Sequence, residues 1–357
     1  MSNPAQLSPV LHQHPTPLDL TAHNTLGLRC QARQVLSITS LEQLPDVTAH
    51  ARQAQAVLVL GGGSNVVLPA DLKALVFRVQ LKGIHYVGAD TLLPEGLDDV
   101  WRIDVAAGEN WHEWVVTATN AGWPGLENLA LIPGTVGAAP VQNIGAYGVE
   151  LQERIESVTA WHIPEGKLVT LSNTECAFAY RDSLFKRSPP GTWLIVSVRF
   201  LLPKKWRPIF DYPDLRAHPV LANIAPESVT AQQILQAVCD IRRAKLPDPA
   251  VLGNAGSFFK NPVISADQYR SLKEKFTDLV AYPQTNSTFK LAAGWMIDRC
   301  GWKGKRLGPA GVHDRQALVL VNYGGAQASD ILTLANEVRE AVRTQFGVEL
   351  EIEPVVV

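Results

Sequence analysis

The chain has few cysteines, few methionines, almost no net charge and no long apolar run suited to a membrane. Its 357 residues include 4 Cys and 2 Met, and the formal net charge is −2. Cys30, Cys176, Cys239 and Cys300 stand far apart, with no CxxC pair and no His at zinc spacing, so no metal site is expected. The 32 Lys and Arg nearly balance 34 Asp and Glu. No global basic field therefore exists for a nucleic-acid backbone or an anionic membrane, and any anionic ligand must be held by local groups. Residues 1–20 lack a basic start and an apolar core, so they read as a loose tail rather than a signal peptide. The longest uncharged stretch, 128–149, contains Pro133, Gly134, Gly137, Pro140, Gly145 and Gly148, which fits a loop-rich segment and not a membrane helix. Sparse thiols, no export signal and no membrane span point to the cytoplasm.

What is present describes a globular chain with many turns: 46% hydrophobic and 18% charged residues, 26 Gly and 24 Pro. The length exceeds one ordinary hydrophobic core, so two or three packed units are expected. An apolar β run, Ala56 to Leu60, ends abruptly in Gly61-Gly-Gly-Ser-Asn65. Strands are expected at 74–79, 101–105, 157–163 and 193–202, with a helix over 110–121 stopped by Gly122 and Pro124. The Pro-bearing segment 203–219 reads as a long exposed loop. Thr230 with Gln233, and Ser265 with Gln268, form capping patterns ahead of helices. Another helix runs from about Ser329 to Phe346, with Gly347 at its stop. In the last strand, period two puts Val348, Leu350 and Ile352 on one face and Glu349, Glu351 and Glu353 on the other. The texture is α+β.

Five segments offer chemistry. Gly61 to Asn65 can present a nest of backbone N–H groups to a pyrophosphate, although a tight strand turn accounts for it equally well. The run from Ile132 to Gly148 permits close approach to a flat ring, with Gln142 and Asn143 able to satisfy its heteroatoms. In Tyr180-Arg-Asp-Ser183, Arg181 suits a carboxylate or a developing oxyanion, but these four residues alone fit a surface pair with Asp182 better. Arg242, Arg243 and Lys245 end a helix, where cations complement the dipole for structural reasons. In Gly253 to Pro262, Ser257 has no His placed to activate it, which argues against a triad and leaves proton donation open.

Taken together, LGGGSNVVL, PGLENLALIPGTVGAAPVQNIGAYGVEL, YRDSLFK, KLPDP, GNAGSFFKNP, LAAGWMID and VHDRQALVL resemble the UDP-N-acetylenolpyruvoylglucosamine reductase family, in order from about His23 to the C-terminus. The resemblance implies the two-lobed FAD-binding fold of the vanillyl-alcohol-oxidase type, followed by a smaller α+β substrate-binding domain. On that reading 1–20 is a tail, 21–82 the first FAD lobe, to which a strand near 350–357 returns, 83–229 the second lobe with a substrate loop at 203–219, and 230–349 the substrate-binding domain. The resemblance further implies a cytoplasmic monomer that uses non-covalent FAD and NADPH on a UDP-sugar. Gly61, Gly62, Gly63, Ser64, Asn65, Pro133, Gly134, Thr135 and Gly137 would line the FAD pyrophosphate and ribityl chain, with Gln142, Asn143 and Gly145 at the isoalloxazine. Arg181 and Glu353 would stand at the enolpyruvyl carboxylate and Ser257 would donate the proton. Lys245, Asn261 and Gln316 would serve the sugar nucleotide and the nicotinamide cofactor, and the mobile-loop Tyr212, joined by Tyr282, would close over the UDP-sugar diphosphate.

Two departures bear on this transfer. Glu353 is followed by Pro354 and three valines where the family often continues Val-Arg, which makes Glu351 the alternative carboxylate. Gly62 stands where relatives carry a glutamate. A non-catalytic FAD module, or an FAD oxidase or dehydrogenase of another small substrate, would fit the first half as well; GNAGSFFKNP and the Tyr212 loop favour the reductase.

Overall fold

The computed structural model describes residues 13–87, 99–284 and 286–357. Its first sheet has the strand order Thr16–Asp19, Gln31–Ile38, Asp71–Val79, Val57–Leu60; the first pair is antiparallel and the others parallel. The central strand Asp71–Val79 is rich in Leu, Val and Phe, as a strand covered on both faces must be. The second sheet is antiparallel throughout: Lys167–Ser172, Ile155–His162, Trp193–Pro203, Val100–Ala106, Ile84–Tyr86. Helix Trp111–Asn120 lies beside it, capped by the Asn110 side chain, and buries Trp111 and Trp114.

A third sheet, Gly253–Ser257, Val319–Asn322, Ala310–Val312 and Arg306–Leu307, shares its apolar core with helices Ala293–Arg299 and Ala328–Phe346. Gly347 closes the long helix with φ 67°, the left-handed stop expected of glycine there. The expected α+β fold class is borne out.

Three expectations about organisation change. Of the expected tail, residues 1–12 lie outside the described residues, but Thr16–Asp19 is an edge strand and Leu20 is fully buried. The helix expected to open the third unit, Ala231–Lys245, instead presents Ile234, Ala237, Val238 and Ile241 to the core of the second sheet. Its capping box forms as read, and the helix stops two residues before Pro247. The segment 203–219 is not exposed throughout, because it holds a short helix, Pro213–Arg216, whose Leu215 is fully buried in that same core. Polar and proline-rich composition masked one apolar anchor.

Replacing Leu20 with Ala tests the first correction. A core leucine costs about 2–5 kcal/mol on truncation, whereas a tail residue costs nothing. Urea unfolding of the variant is expected to show a loss in that range, and an unchanged midpoint would return Leu20 to the tail.

Candidate active site

A cavity of about 400 Å³ lies where the three sheets converge, within the range of small-molecule sites. Its floor is two glycine segments in contact. A Cβ on Gly62 would fall 2.9 Å from the Gly134 Cα, and one on Gly61 would fall 2.7 Å from Thr135 Oγ1. Ser64 Oγ donates to the Pro133 carbonyl at 2.9 Å, tying the segments together. The N–H groups of Gly62, Gly63 and Ser64 donate to nothing among the described residues, so they stay available to an anion. A glycine cradle with spare donors fits the pyrophosphate of a dinucleotide such as FAD.

At one end of the cavity lies a polar cluster. Glu353 is 8% exposed. Arg181 Nε stands 3.4 Å from Glu353 Oε1, and Gln142 Nε2 donates to the same oxygen at 3.2 Å. Gln142 Oε1 accepts from Asn65 Nδ2 at 2.5 Å, which fixes the amide so that its NH₂ faces the carboxylate. Arg181 Nη2 donates to the Gly145 carbonyl at 2.8 Å. The backbone of Arg181 is left-handed, φ 54°, as are those of Asn143 at 45° and Tyr147 at 47°. Such conformations cost about 1–3 kcal/mol each and gather at functional sites. Burial pushes the Glu353 carboxyl above its ordinary pKa, against the pull of Arg181.

Ser257 reaches the cavity from the end of the strand Gly253–Ser257 and is held next to Glu353 by backbone pairing. Glu353 N–H donates to the Phe258 carbonyl at 2.9 Å, Phe259 bridges Ile352, and Lys260 N–H donates to the Glu351 carbonyl at 3.0 Å. The Ser257 hydroxyl makes no hydrogen bond among the described residues. Glu351 points elsewhere: its side chain is 68% exposed and pairs with Lys260. Glu353, not Glu351, lines the cavity.

Gly61 to Asn65, Pro133, Gly134, Thr135, Gly137, Gln142, Gly145, Arg181, Ser257 and Glu353 thus line one cavity. Asn143 does not. It is fully buried, accepts from Gln152 N–H at 2.9 Å, and donates to Glu150 Oε2 and the Ala179 carbonyl at 3.1 Å, shaping the wall behind Gly145. The expected sugar-nucleotide residues also lie outside that lining. Tyr212 and Tyr282 are each 45% exposed. Lys245 pairs with Asp214 at 2.5 Å, and Asn261 Oδ1 accepts from Ala293 N–H at 3.0 Å. Gln316 Oε1 accepts from Leu318 N–H at 3.4 Å.

Two cations escaped the sequence reading. Lys186 lines the cavity and donates to the Arg181 carbonyl at 3.3 Å; burial lowers its pKa. Arg242 lines it too, with Nε buried and unpartnered, and burial lowers its pKa from the ordinary guanidinium value. The signal was there for Arg242, since it sits four residues after buried Val238 and therefore on the inward face. Its place at a helix end hid that.

The fold and this glycine-lined cavity define an FAD-binding protein: residues 32–172 match the FAD binding domain model. Residues 248–357 match the model of the UDP-N-acetylenolpyruvoylglucosamine reductase C-terminal domain. The chain is 55% identical to the UDP-N-acetylenolpyruvoylglucosamine reductase of Bordetella pertussis, over 99% of this chain and 98% of the relative. The Burkholderia cenocepacia enzyme of the same name is 50% identical over 97% and 96%. The crystal structure of the reductase from Thermus caldophilus superposes with a TM-score of 0.63 at 25% identity, covering 96% of this chain and 98% of that one. The chain belongs to the UDP-N-acetylenolpyruvoylglucosamine reductase family, as the sequence motifs implied.

The raised Glu353 pKa makes a signed prediction. The folded state holds that proton more tightly than the unfolded chain, so this group's contribution to stability falls as pH rises from about 4 through the raised value. The melting temperature of the native protein minus that of Glu353→Gln is expected to decrease across that window. A flat or rising difference would refute the burial effect.

Proposed function

We propose a residue-level account of how this chain, an FAD- and NADPH-dependent reductase of peptidoglycan precursor synthesis, converts UDP-N-acetyl-3-O-(1-carboxyvinyl)-glucosamine to UDP-N-acetylmuramate. FAD, when bound, would supply the hydride that NADPH provides and that the methylene carbon of the enol ether accepts. The glycine cradle of Gly61 to Asn65 and Pro133 to Gly137 would hold its pyrophosphate and ribityl chain, and Gln142 and Gly145 would border its ring. Arg242, whose buried Nε lacks a partner among the described residues, offers a cationic group to the same cavity.

As hydride arrives at one carbon, negative charge grows on its neighbour and on the attached carboxylate. Arg181 holds that carboxylate. Its fork is aimed by the Gly145 carbonyl and by Glu353 before any ligand arrives, which avoids reorganisation in the transition state. Glu353 keeps Gln142 and Arg181 in place and, with its pKa raised, carries its negative charge weakly beside the growing one. Ser257 then donates its proton to the carbanionic carbon. An alcohol is a weak acid in water, but this acceptor is far more basic, and Arg181 and Lys186 favour the alkoxide left behind.

The observation that supports this account is the pairing of Phe258 with Glu353, which brings the Ser257 segment against Glu353 and, through it, Arg181. Lys245, Asn261 and Gln316 engage the sugar nucleotide and NADPH outside the narrow cavity, and the Tyr212 loop, with Tyr282, closes over the sugar nucleotide alone, with 253–350 as the substrate-binding unit. The reaction belongs in the cytoplasm, where nucleotide-activated sugars and NADPH are kept, and a monomer suffices because one chain supplies every assigned residue. No helix among the described residues is long and apolar enough to cross a membrane.

Stopped-flow spectroscopy separates the steps. Ser257→Ala is expected to leave flavin reduction by NADPH nearly intact and to slow reoxidation by the sugar substrate by about 100- to 10,000-fold, the usual cost of a lost general acid. Equal slowing of both steps would reject Ser257 as the donor. Arg181→Lys keeps the charge but loses the planar fork, so reoxidation should again suffer most; near-normal turnover would return Arg181 to a structural role.

A further inference from the structure

The loop that carries Tyr212 is fixed at its root by two buried polar side chains that no catalytic step uses. Glu127 and Asn128 lie in the turn Glu127–Leu129 and are 2% and 1% exposed. One Glu127 oxygen accepts from Gly125 N–H at 2.7 Å. The other accepts from the indole N–H of Trp206, in the loop, also at 2.7 Å. Asn128 Nδ2 donates to the carbonyl of Ile209, in the loop, at 2.7 Å, and to the carbonyl of Tyr147 at 2.9 Å. The packing there leaves little slack. Gly148 has φ 86°, and a Cβ on it would lie 3.2 Å from Ile209 Cγ2; a Cβ on Gly125 would lie 3.1 Å from Pro203.

Further along, Leu215 anchors the loop again. Between the two anchors the chain is exposed at Asp211, Tyr212 and Pro213, and the ties there are surface ion pairs, Arg216 with Asp211 and Lys245 with Asp214. Exposed pairs of this kind hold weakly. Tyr212 meets the ring of Tyr147 edge-on at 5.5 Å. Tyr147 in turn neighbours Arg242, which lines the cavity.

We propose that Glu127 and Asn128 form a fixed post and act as positioning residues for Tyr212. The moving part of the loop is then a short crest, 210–214, and not the whole of 203–219. Through Tyr147, whose carbonyl Asn128 holds and whose ring Tyr212 meets, the post keeps the crest in line with the cavity. A short crest between fixed ends loses little entropy on closing and returns Tyr212 to one place. The proposal rests on the reading that Tyr212 covers the sugar nucleotide.

Trypsin and kinetics on the FAD-loaded protein test both parts. Lys204 and Lys205 adjoin the post, whereas Arg207 precedes Pro208 and resists the enzyme. The native protein without sugar nucleotide should resist cleavage after Lys204 and Lys205, because the Trp206 tie to Glu127 on one side and the Lys204 N–H bond to the Asp99 carbonyl at 2.8 Å on the other hold that stretch. Asn128→Asp sets a carboxylate against two carbonyls, and Trp206→Phe removes the indole donor from the partly exposed side should the buried variant fail to fold. Each is expected to open the Lys205 site and to raise KM for the UDP-enolpyruvyl sugar about tenfold, the scale of one hydrogen bond to a charged group, with flavin reduction by NADPH unchanged. Equal cleavage of native and variant proteins would overturn the post. Cleavage that opens while KM stays fixed, both in these variants and in Tyr212→Phe, would support the post and overturn the substrate role of the loop.

Discussion

A carboxylate withdrawn from water must be given partners, and around Glu353 each partner comes from a different stretch of chain. Arg181 follows a turn after the second sheet's strand Lys167–Ser172, Gln142 belongs to the second glycine segment, and Phe258 directly follows the third sheet's strand Gly253–Ser257. Asn65, from the first glycine loop, orients Gln142, donates to the Glu353 carbonyl at 3.4 Å, and offers its own carbonyl to Val355 N–H. The last residues of the chain are thereby threaded between the first loop and the third sheet, and Val355–Val356 runs parallel to Val66–Val67. Removing one partner would leave an uncompensated buried charge, the costly case for buried polar groups. Arg181 meets that requirement from a left-handed backbone, φ 54°, a conformation uncommon outside glycine.

The same geometry shows what was legible in the sequence. Caps, stops and strand runs were legible because their causes are local: Thr230 with Gln233, Ser265 with Gln268, and Gly347 act within a turn of where they stand. Glu353 was not legible by periodicity, which grouped it with exposed Glu349 and Glu351. Alternation holds through Ile352 and breaks at Glu353, because Glu353 pairs with Phe258 and is turned inward toward cations that period two cannot see. Only the family motif pointed to it. The Pro354 departure leaves the carboxylate in place, since Val355 still bonds Asn65 beyond it.

Asn143 and Gly62 show the complementary limit. A motif marks a residue as important without saying which way it faces, and Asn143 faces away, where its amide holds three neighbours and tolerates the left-handed turn. At Gly62 the second glycine segment comes too close for any side chain. A glutamate there would require the two segments to part, so the glycine and the tight floor of the cavity belong together.

Charge closes the argument. The chain as a whole carries a formal −2, so it offers no long-range attraction to a substrate that bears a carboxylate and a diphosphate. Within the cavity the balance reverses, with Arg181, Lys186 and Arg242 facing Glu353 alone. Burial pushes the Glu353 carboxyl toward its neutral form and makes Lys186 easier to discharge, while Arg242 stays cationic because no accessible pH removes its proton. The unliganded site is therefore short of negative charge around the buried Glu353. A bound carboxylate and the negative charge that grows beside it relieve that imbalance, which makes the transition state, more than the resting site, the arrangement these residues fit.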